Sequence, residues 1–312
     1  MDDIAIVLGD FFPEKVKEHY GDGREFNVKI TYIYQGEPLG IAHAVGLCKD
    51  FVGDEKFVVH LGDDLIKGGI RSFVKEFESS DCDSMVLLCK VDKAQRFGVA
   101  QFDDNGNLLS LVEKPKTPPS DYALVGVYLL TPAAFNIIES LKPSWRGELE
   151  ITEAIQGLLD QGRMVLYRFV KGWWKDTGTP EDILESNRLI LDELQPETKE
   201  RIGNNTSIQG RVTVGKNSVI EEGAVIRGPV AIGENARICS HAYIGPYTSI
   251  GNNVLIEQGE IENSIIMKNC RINIDGKITS SLIGPSSTIT KNYKDKPRGY
   301  RFVISERSNI MI

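Results

Sequence analysis

The sequence predicts two domains: an α/β domain built on a mixed, mainly parallel sheet, followed by a parallel β-helix. Up to about Leu194, short runs rich in valine and isoleucine alternate with segments of helical periodicity, which implies crossover connections between strands. From Ile202 to Ile256 a branched aliphatic residue recurs at every sixth position, as in a β-helix whose three six-residue faces make one coil. A chain of 312 residues, 41% of them hydrophobic, has material for two separate cores.

Taken in order, Ile4 to Leu8, Lys29 to Tyr34, Phe57 to Leu61, Ser84 to Lys90, Leu124 to Leu130 and Met164 to Val170 read as short, buried strands. Pro13 to Tyr20, Ile41 to Cys48, Gly69 to Glu76, Pro132 to Ser140 and Glu150 to Asp160 read as the helices between them. The segment Pro180 to Glu200 starts behind a proline and reads as a helix joining the domains. The repeat then runs through Ile202, Ile208, Val214, Ile220, Ile226, Ile232, Ile238, Ile244, Ile250 and Ile256. A small or β-branched residue follows four positions after nearly every one. The register slips after Ile256, resumes at Ile266, and slips again at Ile283; these slips predict small loops on a regular prism. The expected boundaries are 1–180 for the α/β domain, 181–200 for the joining helix, 201–292 for the β-helix and 293–312 for a cap over its last coil.

Charge and cysteine usage narrow the function classes. With 44 acidic against 36 basic side chains, net −8, the chain lacks the basic excess of a dedicated nucleic-acid binder. Small anionic metabolites, bound through a few placed cations or a metal, are compatible with it. No run approaches the roughly 18 apolar residues of a membrane span, and the first residues lack a signal-peptide pattern. Five widely spaced cysteines with no C-x-x-C pair suit a reducing, cytoplasmic setting.

Ligands of such sheets sit at the carboxyl ends of the strands, and four clusters fall there. In FVVHLGDD, Asp63 and Asp64 follow a buried strand, which suits a cation with its phosphates or equally a polar loop exit or helix cap. In GWWKDTGTPED, Asp176 is either a second metal ligand or part of the N-cap region of the helix starting near Pro180. Glu113 and Lys114 in LVEKPKTPP place a carboxylate for sugar hydroxyls and an ammonium for a phosphate at the sheet mouth, the alternative being a solvated strand exit. Arg146 in RGELEIT is an anion contact or a surface-loop residue. His19, His43 and His60 lie in regular patterns and read as structural, whereas His241 lies in the repeat.

YQGEPLGIAHAV, VVHLGDD, RFGVAQFD, VEKPKTPP, YALVGVYLL, SWRGELEITEAIQ and GWWKDTGTPEDILESNRLIL, then hexapeptides with IGPYTSIG, resemble in order the long-form glucose-1-phosphate thymidylyltransferases. The resemblance spans essentially the whole chain. It implies a Rossmann-like sheet with a left-handed β-helix, and in-line attack by the oxygen of glucose 1-phosphate on the α-phosphorus of dTTP, with pyrophosphate leaving. UTP is the alternative nucleotide. By motif, Gln35, Pro38, Gly40 and Ile41 would line the base pocket, and Asp63 and Asp176 would hold Mg²⁺. Gly98, Glu113 and Leu124 would meet the sugar, and Lys114 and Arg146 would bind its phosphate. Some related two-domain proteins carry an acetyltransferase in the β-helix, and a non-catalytic paralogue is a further alternative. β-Helix faces commonly assemble, which leaves room for a homo-oligomer.

Two departures stand out. The family's opening strand and GxGTRLxPxT loop have no match, and Met1 to Gly9 aligns with its second strand. That opening strand lies between the counterparts of Ile4 to Leu8 and Phe57 to Leu61, so both are expected to present unpaired edges. The expectation is a sequence that starts late, at an internal methionine, short of about one βα unit. Asp64 stands where the family usually has asparagine, which adds a charge beside the metal ligands.

Overall fold

The computed structural model describes residues 2–198, 201–202, 206–292 and 299–303. It divides into a unit of residues 1–176 and a unit of residues 177–312. In the first unit the strands are β1 (Asp3–Gly9), β2 (Lys29–Gly36), β3 (Phe57–His60), β4 (Asp64–Ile66), β5 (Ser84–Lys90), β6 (Gly98–Phe102), β7 (Leu108–Glu113), β8 (Tyr122–Leu130), β9 (Val165–Phe169) and β10 (Trp174–Asp176). Its helices are α1 (Pro13–Tyr20), α2 (Ile41–Gly46), α3 (Lys49–Val52), α4 (Arg71–Glu78), α5 (Ala133–Ile138) and α6 (Ile151–Asp160).

β8 organises the first unit because every residue after Tyr122 is apolar or glycine and buried. A strand buried on both faces needs partners on both edges, and β5 pairs along one of them, from Ser84 on Leu130 to Lys90 on Tyr122. β3 and β6 share the other edge: β3 runs from Phe57 on Leu130 to His60 on Val127, and β6 meets β8 at Val99 on Ala123. Between those two partners lies a stretch of β8 centred on Gly126, and the cavity described below opens there. The mixed sheet departs from the mainly parallel expectation in its ladders. β5 and β9 are parallel, but β8 runs against β3, β5 and β6, so every ladder it forms is antiparallel. The β6–β7 hairpin between β5 and β8 reverses the chain, which the alternation of strands and helices did not reveal.

β1 and β2 form a separate two-stranded parallel sheet, Ile4 on Ile30 through Leu8 on Tyr34. Among the described residues β1 pairs only with β2, and β3 only with β8. The short β4 pairs antiparallel with β10, which sets Asp64 opposite Asp176.

The second unit opens with α7 (Pro180–Asp192). Thr179 caps it by accepting from the Asp182 amide at 3.2 Å and donating its hydroxyl to the Asp182 carboxylate at 2.6 Å. The helix stops at Asp192, short of the expected Glu200, with Pro196 soon after to prevent its continuation. It lies along the β-helix: Asn187 donates to the Tyr247 carbonyl at 3.0 Å and accepts from Ser249 at 2.6 Å.

In the β-helix, Val212 stacks on Val230 and Val230 on Thr248, and Ile226 on Ile244. The repeat positions Ile220, Ile226, Ile238, Ile244 and Ile256 are almost fully buried in one core. Asn217, Asn235, Asn253 and Asn269 turn its corners with left-handed backbone, and their amides stack, Asn217 on Asn235 and Asn253 on Asn269. The register slips are shortened coils, not the small loops expected. Coils of 18 residues (Ile238 on Ile256) give way to coils of 16 or 17 (Ile256 on Ile272, Ile244 on Ile261). One corner straightens, and Leu255–Glu262 becomes a single strand with irregular pairing at Gln258. Most of the expected cap at 293–312 lies outside the described residues; within it, Gly299–Val303 pairs antiparallel with Thr288–Asn292. No described helix is long and apolar enough to cross a membrane, and the five cysteines are free thiols.

Candidate active site

A cavity of about 140 Å³ opens in the first unit at the carboxyl end of β3, where β3 gives way to β6 along β8. One wall is acidic. The turn after β3 brings Asp63 and Asp64 to it, and β10 brings Asp176. Asp63 is exposed, whereas Asp64 is buried, with 5% of its surface accessible. The Asp64 carboxylate accepts from the indole N–H of Trp174 and from the backbone of Gly126. Burial, reinforced by Asp63 and Asp176 nearby, pushes the carboxyl of Asp64 up to about 7 against the opposing pull of those hydrogen bonds. The charge expected from this aspartate is therefore partly suppressed near neutrality. Gly126 is glycine for a steric reason: a Cβ there would fall 1.7 Å from Asp64 Oδ2.

The opposite wall comes from β6 and β7, where Gly98 pairs with Glu113. A Cβ on Gly98 would stand 2.9 Å from Thr152 Oγ1 and 3.1 Å from Glu113 Oε2. Glycine thus leaves room for the buried Thr152 hydroxyl to donate to Glu113. Lys114 has left-handed backbone (φ 39°) between Glu113 and Pro115, and its amide donates to the Phe97 carbonyl at 3.0 Å. That turn directs the lysine into the cavity, with Nζ 4.0 Å from Glu113. Leu124 lines the floor. Neither aspartate belongs to a helix cap: Asp64 opens β4, Asp176 closes β10, and Thr179 caps α7.

Of the sequence-derived residues, Ile41, Asp63, Gly98, Glu113, Lys114, Leu124 and Asp176 meet in this cavity. Gln35, Pro38, Gly40 and Arg146 do not line it. Gln35 donates to the Gly40 carbonyl at 3.0 Å and lies 3.3 Å from His43 Nδ1, which secures the start of α2. Pro38 is exposed beside it. Gly40 adopts φ 106° and packs so closely that a Cβ would be 2.4 Å from the Leu149 carbonyl oxygen. Arg146 lies outside the cavity, tied to Glu148 at 2.7 Å, to Glu150 at 3.2 Å and to Glu113 at 3.8 Å.

Sequence reasoning missed Tyr128, Trp174 and Glu150, which also line the cavity. Tyr128 lies two residues from Gly126 on the same face of β8, a period-2 relation legible once β8 is known to border a site. Burial, with Glu113, Asp64 and Glu150 around it, raises the Tyr128 phenol, which keeps it a neutral donor. Burial likewise raises Glu150, and the neighbouring Glu113 adds to the shift; the hydrogen bond from Ser144 and the Arg146 charge oppose it.

Residues 1–193 match the nucleotidyl transferase family, and residues 226–296 match the GMPPB C-terminal domain. The chain belongs to the nucleotidyl transferase family. This nucleotidyl transferase is 45% identical over 310 residues to the low-salt glycan biosynthesis nucleotidyltransferase Agl11 of Haloferax volcanii, covering 99% of this chain and 87% of that protein. It is 39% identical over 314 residues to a glucose-1-phosphate thymidylyltransferase of Streptomyces griseus, covering 99% and 86%. Among solved structures it resembles a Bacillus anthracis protein crystallised in complex with a sucrose, with TM-score 0.56, 42% identity and coverage of 60% of this chain and 75% of that one.

Proposed function

We propose that the cavity joins a nucleoside triphosphate to a sugar 1-phosphate with release of pyrophosphate, and that the pair is dTTP and glucose 1-phosphate. The observation that carries this reading is convergence. Residues from separated segments (Ile41, Asp63, Gly98, Glu113, Lys114, Leu124, Asp176) line one cavity with acids on one side and a lysine and sugar-facing groups on the other. The thymidylyltransferase relative supports the choice of base and sugar.

The donor set fits Mg²⁺, which prefers hard oxygen ligands and typically takes one or two carboxylates together with substrate phosphates. Asp63 and Asp176, on the acidic wall, would hold it. When bound, the metal would neutralise charge developing on the phosphates. The chain's own residues bind and orient. Glu113, fixed by Thr152, accepts from sugar hydroxyls, and Gly98 lets the ring approach the backbone. Tyr128 donates from the buried side, and Lys114 neutralises the sugar phosphate so that its oxygen can approach the α-phosphorus in line. Ile41 lines the cavity and would meet the base, as Gln35, Pro38 and Gly40, which lie outside it, would by family motif alone. Arg146 acts on the phosphate only if it exchanges a carboxylate for the substrate. A nucleotide-sugar enzyme of this kind would work in the cytoplasm.

The test is pyrophosphate release from Mg²⁺, glucose 1-phosphate and either dTTP or UTP. Faster release with dTTP supports the assignment. Release with UTP alone would replace the nucleotide but keep the site.

A further inference from the structure

The acidic wall sets a problem for an anionic substrate. Asp63, Asp64, Asp176, Glu113 and Glu150 all face the cavity, and Lys114 lies within 4.0 Å of Glu113. Arg146 is already tied to three carboxylates. A phosphate there needs another cation.

Arg96 lines the same cavity and differs from Arg146 in its company. It ends a short 3₁₀ turn, Ala94–Arg96, with only Phe97 between it and β6. No described residue gives its guanidinium an ion pair or a hydrogen bond. The group instead lies over the Phe97 ring, 5.8 Å from its centroid, and that ring packs edge-on to Trp174 at 5.1 Å. The backbone beneath it is held by the Phe97 amide on the Ala94 carbonyl at 3.0 Å and by the Lys114 amide on the Phe97 carbonyl at 3.0 Å. These bonds bring Arg96 and Lys114 to the same end of the β6–β7 pair, one from each strand and both just beyond the Gly98–Glu113 rung. A guanidinium stacked on a fixed ring keeps its N–H edge free for two-point contact with a phosphate.

We propose that Arg96 is a second cationic contact for the phosphate of the sugar 1-phosphate, working beside Lys114. This rests on reading the cavity as a sugar-phosphate site. Arg96 leaves the metal-binding wall to the triphosphate and gives the attacking phosphate a partner that the carboxylates do not already hold.

Calorimetric titration of the whole chain with glucose 1-phosphate tests it, using the wild type, Arg96→Gln, Arg96→Lys and Lys93→Gln, with thermal melting as a control for folding. Lys93 is an exposed cation at the start of the same turn and does not line the cavity. The expected result is affinity about tenfold lower in Arg96→Gln, intermediate in Arg96→Lys and unchanged in Lys93→Gln, with the Arg96→Gln difference shrinking as salt is raised. Equal binding by Arg96→Gln and the wild type overturns the proposal, and so does equal weakening by Arg96→Gln and Lys93→Gln. A wild type that binds no glucose 1-phosphate overturns the site reading itself, a result distinct from parity between variants that do bind.

Discussion

The indole N–H of Trp174 donates to the buried carboxylate of Asp64, which ties the strand that ends in Asp176 to the turn that carries Asp63. The two acids assigned to the metal are thereby held in place by neighbours, Asp64 and Trp174, that need not touch it. Asp64 sits at the centre of this arrangement because Gly126 has no Cβ and leaves room for it.

The raised carboxyl of Asp64 gives a stability signature. Its folded value of about 7 lies above the 3.8 of an unperturbed aspartate, so between those values the folded chain binds more protons than the unfolded one. Stability should be fullest at the acid end of that window and fall as pH rises toward 7. The change is at most about 4 kcal/mol by linkage, and less where water reaches the group. Asp64→Asn should remove its share of the slope, leaving that of Glu150, whose carboxyl burial also raises. Melting curves in a chelator from pH 4.5 to 8 check this, and the same slope in both proteins would contradict it.

Gly126→Ala would thrust a methyl into Asp64 Oδ2 and to 2.7 Å from Leu61 Cδ1. A loss of about 1–3 kcal/mol is expected in denaturant unfolding. The double variant with Asp64→Ala should recover much of it, since the clash is shared between the two positions. Strict additivity would show that the contact is not the cause.

Arg146 is expected to matter for folding as well as for binding. Removing it leaves Glu113, Glu148 and the buried Glu150 without their shared cation. Arg146→Gln should cost about 2 kcal/mol at pH 8, in line with breaking a partly buried pair. It should cost less at pH 5, where Glu150 more readily takes a proton because burial raises it. An unchanged melting temperature at both pH values would return Arg146 to the status of a surface-loop residue.

Ile226 is fully buried in the β-helix core, stacked on Ile208 and Ile244. Ile226→Asp would bring in an unpaired charge and should cost several kcal/mol, enough to melt the adjacent coils. Intact cooperative melting would contradict the stacking.

Much of this was legible in the sequence, for identifiable reasons. The six-residue period survives in the chain because each coil repeats the same burial, so Ile220 and Ile238 announce their own environment. Asp63 was legible because it follows an apolar strand, and Asp176 because it lies in a turn-rich segment after the run Met164 to Val170; both then line the cavity. The shortened coils after Ile256 were not, since a register slip in sequence reads alike whether residues are added or removed. The reversed direction of β8 also escaped, because buried strands carry the same apolar pattern in either orientation. Tyr128 and Glu150 could not be assigned, since their role comes from β8 and α6 meeting across the sheet, a long-range fact with no local mark. Arg96, two residues before a recognised glycine, became a candidate only once the fold placed it on the cavity with no carboxylate partner among the described residues.

If the acids and cations gathered at the end of β3 form one transfer site, losing one acid stops transfer without unfolding the chain. The most direct measurement is glucose 1-phosphate-dependent pyrophosphate release at saturating dTTP and Mg²⁺ by the wild type and by Asp63→Asn, with folding of both checked by thermal melting. Release by the wild type is expected, with a loss of at least about a hundredfold in Asp63→Asn at unchanged stability, the scale seen when electrostatic stabilisation of a transition state is removed. Equal rates in the two proteins would contradict it, and a wild type that neither releases pyrophosphate nor binds glucose 1-phosphate would remove the site altogether.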